Sequence, residues 1–129
     1  MQKTILLVDD DEDEFFIFNV ALEMTNNRYT CIWTDKLENA VQLLQDFKPE
    51  IVLIDINMPK HNGFICLEEL KKCDPLNYSL FIMYSTCIEQ PDSSKAMELG
   101  AYQCLHKTQS IDVLKNQLIK LLNETACIK

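Results

Sequence analysis

The sequence predicts a single α/β domain spanning residues 1–129, built as a doubly wound five-stranded parallel sheet with strand order 2-1-3-4-5. Three observations predict it. Short apolar runs alternate five times with segments of helical period. The central runs, such as Ile51-Val52-Leu53-Ile54, are continuously apolar rather than apolar at every second residue, as expected of strands covered on both faces. No linker, repeat or low-complexity tract divides the 129 residues, and that length is enough to enclose one core. Right-handed crossovers then place helices on both faces of the sheet. Ligands belong at the carboxyl ends of the strands, near the point where the strand order reverses.

The elements follow in order. Lys3 to Val8 reads as a strand. Residues 12–25 read as a helix with Phe15, Phe18 and Leu22 on one face and Ile17 and Ala21 beside it. Phe15 and Phe16 are adjacent and cannot share a face, so one of them is expected at the surface, with Val20 a turn beyond Phe16. Tyr29 to Thr34 is a second strand, in which Trp33 is read as packing. Asp35 and Glu38 form an Asp-x-x-Glu helix start, and Leu37, Ala40, Val41 and Leu44 supply the buried face. After Pro49, Ile51-Val52-Leu53-Ile54 is the third strand. The loop from Met58 to Gly63 contains Asn62-Gly63, read as a turn because both residues tolerate positive φ. A helix with Phe64, Leu67 and Leu70 follows and ends at Asp74-Pro75. Leu80 to Tyr84 is the fourth strand, and a helix near 91–99 stops at Gly100, a good residue just past a helix end. Tyr102 to His106 is the fifth strand. Ser110 caps a last helix whose Ile111, Leu114, Leu118 and Leu121 form one stripe.

Composition narrows the function. Apolar residues make up 47% and charged residues 25%, the balance of a soluble globular domain. A net charge of −8 repels phosphate backbones, which argues against nucleic-acid partners and anionic membranes. The first apolar run, Thr4 to Val8, is too short for a signal-peptide core, and no run is long enough to span a bilayer, so a cytoplasmic location is expected. The six cysteines form no C-x-x-C pair and no zinc spacing with histidine, and are read as small buried hydrophobes. Cys66 and Cys73, two helical turns apart, are read as sharing one helix face.

The chemistry sits at the strand ends. The first strand runs into Asp9-Asp10, the third into Asp55, the fourth into Ser85-Thr86 and the fifth into His106-Lys107. An acidic run such as Asp9 to Glu14 is most often a solvated loop, but here it follows a buried strand directly. Carboxylates gathered at one sheet edge repel one another, and their pKa values rise unless a cation sits among them. Their hard oxygens suit Mg2+. A lysine and a hydroxyl suit the remaining oxygens of a phosphoryl group.

In these residues the chain resembles the receiver domains of two-component response regulators, the CheY-like single-domain type with a flavodoxin-like sheet. Asp9 and Asp10 match the family's acidic pair, Asp55 the phosphoacceptor, and Asn57 the residue whose carbonyl completes the metal ligands. Met58-Pro59 with Gly63 matches the family's loop, Ser85 the switch hydroxyl with Thr86 after it, and Lys107 the strand-5 lysine. The resemblance covers essentially the whole chain, and a series of matches in order is specific where a lone Asp-Asp pair is not. It implies Mg2+ as cofactor, phosphorylation of Asp55 by a sensor histidine kinase or histidine phosphotransfer protein, and output to a protein target. It implies no enzymatic activity beyond self-phosphorylation and self-dephosphorylation. It also implies partner docking near Glu14, Ile17 and Thr108, and an output surface around helix 4, strand 5 and helix 5.

The chain departs from the family at four positions. Thr108 stands where the family has proline, and Cys104 where it has an aromatic residue; His61 and Asn62 are read as loop residues. A cis peptide before a non-proline costs about 3–4 kcal/mol, so a trans Lys107–Thr108 bond is expected. Asn57 and Cys87 are expected to flank the path of a hydrolytic water. Three competing readings were weighed. A haloacid-dehalogenase-type phosphohydrolase needs an acid two residues after its nucleophile, where this chain has Asn57. A flavodoxin-like cofactor binder needs a phosphate loop after the first strand, where this chain has acids. Against a degenerate receiver acting as a scaffold, all five site positions are filled, while the departures at Cys104 and Thr108 keep that reading open.

Overall fold

The computed structural model describes residues 3–26, 28–58, 62–86 and 89–128, with side chains described as far as residue 125. Within them β1 (Lys3–Val8), β2 (Tyr29–Thr34), β3 (Ile51–Asp55), β4 (Leu80–Ser85) and β5 (Gln103–His106) alternate with α1 (Glu12–Met24), α2 (Leu37–Phe47), α3 (Gly63–Lys72), α4 (Gln90–Glu98) and α5 (Ile111–Ile128). All strand pairs are parallel and the order is β2-β1-β3-β4-β5, as predicted.

The continuous apolar strands are split by their pleat between two cores. Ile5, Leu7, Ile51, Leu53 and Ile82 face α1 and α5, where they meet Phe18, Leu22, Leu114 and Leu118. Leu6, Val8, Val52, Ile54 and Met83 face the other layer, built from Ala40, Leu44, Phe64, Leu67 and Ala96 of α2, α3 and α4. All five residues of β3 are buried. At such sites, truncating a leucine to alanine costs about 2–5 kcal/mol. Cys66 and Cys73 both pack on the α2–α4 side, as their spacing suggested. Phe16 is the surface member of its pair, 69% exposed, while Phe15 packs inward.

Two local expectations are corrected. Lys36 rather than Asp35 is the residue before α2 and its side chain makes no capping bond, while the Thr34 hydroxyl accepts from the Lys36 amide at 3.2 Å in the turn that leads into the helix. Asn62-Gly63 is not a positive-φ turn. Asn62 caps α3, its side-chain oxygen accepting from the Phe64 amide at 2.8 Å, and Gly63 is the first helical residue. The reason for glycine there is proximity: a Cβ on Gly63 would sit 2.2 Å from the Asp55 carbonyl oxygen and 2.7 Å from Ile56 Cα. By contrast Gly100 does take positive φ, +100°, just past α4. Ser110 caps α5 as expected, its hydroxyl accepting from the Val113 amide at 3.2 Å. Among the described residues, no peptide bond is cis, so Lys107–Thr108 is trans, and no helix is long and apolar enough to cross a membrane.

Candidate functional site

Parallel pairing sets the site. With β1, β3, β4 and β5 in register, their carboxyl ends emerge at one edge, and each strand delivers its last residues there. Asp9 continues β1, its amide bonded to the Thr34 carbonyl at 3.1 Å. Asp55 closes β3, and Ser85 closes β4. Lys107 follows β5, its amide bonded to the Ser85 carbonyl at 2.8 Å. Each of the four side chains is therefore positioned by sheet backbone rather than by a free loop.

The carboxylates of Asp9, Asp10 and Asp55 offer oxygen atoms that all lie within 4.8 Å of one another. Asp9 and Asp55 are buried and Asp10 is exposed, so the cluster opens to solvent on one side. The Lys107 ammonium bridges the two buried acids, 2.6 Å from Asp9 Oδ2 and 3.3 Å from Asp55 Oδ2. The Asp9 contact is the shorter of the two, and Lys107 is the partner of Asp9 Oδ2 among the described residues. Asp9 Oδ1 accepts from the Asp11 amide at 3.0 Å, and Asp55 Oδ1 from the Asn57 amide at 3.1 Å.

Burial pushes the Asp9 carboxyl up from an ordinary value near 3.8 to about 6, helped by the nearby Asp55 charge and opposed by Lys107 and the Asp11 amide. Burial lowers the Lys107 ammonium, but its contact with Asp9 and the charges of Asp9, Asp55 and Glu14 outweigh this, and the net direction is up. One lysine therefore leaves an excess of negative charge at the edge. Three clustered carboxylates against one ammonium, all offering hard oxygens, fit a small divalent cation.

The remaining predicted residues are placed unevenly. Asn57 is exposed, and its side-chain amide donates to the Ser85 hydroxyl oxygen at 3.3 Å, linking the ends of β3 and β4. Thr86 is exposed at the same edge. Glu14 and Ile17 are half-buried on α1, and Ile17 packs against the α1–α5 core. Thr108 is half-buried, and its hydroxyl accepts from the Ser110 amide at 3.2 Å. Cys104 packs against the α2–α4 core; burial raises its thiol while a bond with Ser93 opposes the rise. Pro59, His61 and Cys87 lie outside the described residues.

Two aromatic residues belong to the site, and the sequence placed one of them, Tyr84, at the same strand end as Ser85 and Thr86. Tyr84, one residue before Ser85, is fully buried on the α1–α5 side, and the Lys107 ammonium lies 5.4 Å from its ring centre. Its pleat position opposite Ser85 was readable; its contact with a lysine on the next strand was not. Trp33, read only as packing, donates its indole N–H to the Asp9 carbonyl at 2.8 Å. Two surface cavities of about 520 and 460 Å3 share Leu76 and Tyr78 at the opposite, amino-terminal pole of the strands, away from the carboxylates.

Comparison with known proteins agrees with the fold. The profile of the response regulator receiver domain matches residues 5–119. The phosphate regulon transcriptional regulatory protein PhoB of Pseudomonas aeruginosa is 31% identical over 124 residues, covering 95% of this chain and 53% of PhoB. The chemotaxis protein CheY of Halobacterium salinarum is 31% identical over 104 residues, covering 78% of this chain and 81% of that protein. The chain thus spans about half the length of PhoB and most of the halobacterial protein. Among solved structures, the Mn2+-bound form of response regulator Rcp1 superimposes with a TM-score of 0.75 at 23% identity, covering 92% of this chain and 91% of that one.

Proposed function

The chain belongs to the response regulator receiver domain family of two-component signalling, and from that premise we propose that it is a phosphorylatable switch charged on Asp55. The observation that carries this reading is the convergence of Asp9, Asp10, Asp55, Ser85 and Lys107 at one sheet edge. The phosphoryl donor is a sensor histidine kinase or a histidine phosphotransfer protein. The Asp55 carboxylate attacks phosphorus in line, a P–O bond forms, and the P–N bond to the donor imidazole breaks. Lys107, 3.3 Å from Asp55 Oδ2, needs only a small shift to pair with a phosphoryl oxygen. The Ser85 hydroxyl donates its proton to another, while its oxygen can keep accepting from the Asn57 amide. In reversal, water attacks phosphorus and the Asp55 carboxylate leaves.

Asp9, Asp10, Asp55 and the Asn57 carbonyl would hold Mg2+, which when bound supplies neutralising charge to the phosphoryl oxygens. Output passes to a protein partner through α4, β5 and α5, with docking of the donor near Glu14, Ile17 and Thr108. The net charge of −8 supports action without nucleic-acid or anionic-membrane binding by this chain, and the setting in which it meets its kinase is the cytoplasm. No chemistry beyond its own phosphorylation and dephosphorylation is assigned to it.

Incubation with acetyl phosphate and Mg2+, read by intact-mass spectrometry, should add one phosphoryl group, and Asp55→Asn should abolish the addition. A persistent acid-labile adduct in that variant would assign the phosphoacceptor elsewhere. Failure of the unsubstituted chain to label would favour a scaffold that has kept the residues without the reaction.

A further inference from the structure

The turn that carries Asp9 and Asp10 is gripped from outside the site. The Asp9 amide donates to the Thr34 carbonyl at 3.1 Å, and the Asp9 carbonyl accepts from Trp33 Nε1 at 2.8 Å. The peptide groups on both sides of Asp9 are thus tied to the end of β2, one by backbone and one by the indole. The indole is held in turn: Phe15 of α1 stacks on it with ring centres 5.8 Å apart and planes 16° from parallel. Strand β2 and helix α1 therefore reach the same peptide through one aromatic pair.

This matters most for Asp10. Its carboxylate is exposed and, among the described residues, receives no hydrogen bond. Asp9 and Asp55 are each fixed by an amide and by Lys107; Asp10 is aimed at the cluster by its backbone alone. That backbone begins at the peptide whose carbonyl the indole holds. If the carbonyl is released, the bond from the Asp11 amide to Asp9 Oδ1 is the hold that remains within the turn, and the Asp10 oxygen gains freedom to leave the 4.8 Å cluster.

We propose that Trp33 is a positioning residue for the divalent cation, acting through the Asp9 carbonyl to aim Asp10. The inference rests on Asp9, Asp10 and Asp55 being the cation site. A packing role for Trp33 needs only the ring, whereas positioning needs the N–H, and that difference is measurable. Trp33 is the single tryptophan of the chain, so replacing tryptophan globally by its isostere with sulfur in place of the indole N–H changes one position and keeps its shape. Mg2+ affinity is then measured by calorimetry for the full chain, the isostere-substituted chain, Trp33→Phe and Asp10→Ala.

The dissociation constant should rise about 10-fold in the isostere-substituted chain, the size expected when an outer partner of a metal ligand is lost. Trp33→Phe should weaken binding at least as much. Acetyl phosphate labelling of the isostere-substituted chain should recover as Mg2+ is raised, because the defect is in affinity and the reacting groups are intact. An isostere-substituted chain within about twofold of the unsubstituted one, while Asp10→Ala binds weakly, would overturn the role of Trp33 and leave the cation site standing. Unchanged affinity in Asp10→Ala would overturn the cation site and the inference with it.

Discussion

Replacing Asp9 by asparagine should make the metal-free protein more stable. Asp9 is fully buried, with its carboxyl raised from near 3.8 to about 6 mainly by burial. A raised carboxyl pKa means that the ionised form is the costly one in the fold. About 2 pKa units at 1.36 kcal/mol each amount to about 3 kcal/mol, a value that already includes the opposing attraction of Lys107. Asparagine keeps the shape and the oxygen that accepts from the Asp11 amide at 3.0 Å, and Lys107 keeps Asp55 at 3.3 Å. We expect a net gain of about 1–3 kcal/mol at pH 7, part of the calculated value being lost to rearrangement of the lysine.

The sign of the pH dependence follows from the same direction. A group whose folded pKa lies above its unfolded value contributes stability that is fully present below the unfolded pKa and is lost as pH rises through the folded one. The gap between variant and unsubstituted protein should therefore open between about pH 4 and pH 6 and stay level above. Urea denaturation in EDTA, followed by circular dichroism across that range, measures it. Adding Mg2+ should narrow the gap at pH 7, because the cation binds the folded unsubstituted protein more tightly than the variant. A variant that is less stable at pH 7 in EDTA, or a gap that does not change with pH, would refute the view of Asp9 as a strained charge relieved by a cation.

Gly63→Ala should destabilise the fold by about 1–3 kcal/mol, the range for overpacking, because the new Cβ would meet the Asp55 carbonyl at 2.2 Å. It should also slow acetyl phosphate labelling, and a variant with ordinary stability and labelling would show that α3 shifts freely. Substitution of Thr108 by a bulky or charged residue should slow transfer from the cognate donor while sparing acetyl phosphate labelling; equal slowing of both would locate the damage in the site itself. Glu14 offers a comparable test on α1, since it is half-buried and its charge reaches Lys107. Beryllofluoride with Mg2+ should shift backbone amide signals most at residues 84–92 and little at Cys104, whose thiol is too small to vacate the space an aromatic ring sweeps. Shifts centred on Cys104 with residues 86–92 silent would contradict that, and the part of this path at residues 87–88 lies outside the described residues.

What the sequence determined by itself was the part written in local periodicity. The apolar runs of β1, β3 and β4, which do not alternate, mark strands covered on both faces, and right-handed crossovers then wind the intervening helices to both sides. Once that order was set, Asp9, Asp10, Asp55, Ser85 and Lys107 had to meet, because parallel strands bring their carboxyl ends to one edge. Capping at Ser110 and the positive φ of Gly100 were equally legible, each being decided within a few residues. What only the tertiary structure decided depends on separation across the sheet. Gly63 looked like a turn glycine because Asn-Gly favours turns; it proved to be a contact glycine because α3 starts against the carbonyl of Asp55. Trp33 lies 24 residues from Asp9 in the chain and is its hydrogen-bond partner, since β1 and β2 are neighbours and the indole is long enough to reach past the strand end. Tyr84 acquires Lys107 over its ring for the same reason, from the pairing of β4 with β5. A side chain's local pattern fixes which face it takes; what it touches on that face is set by strands that the chain brings together only when it folds.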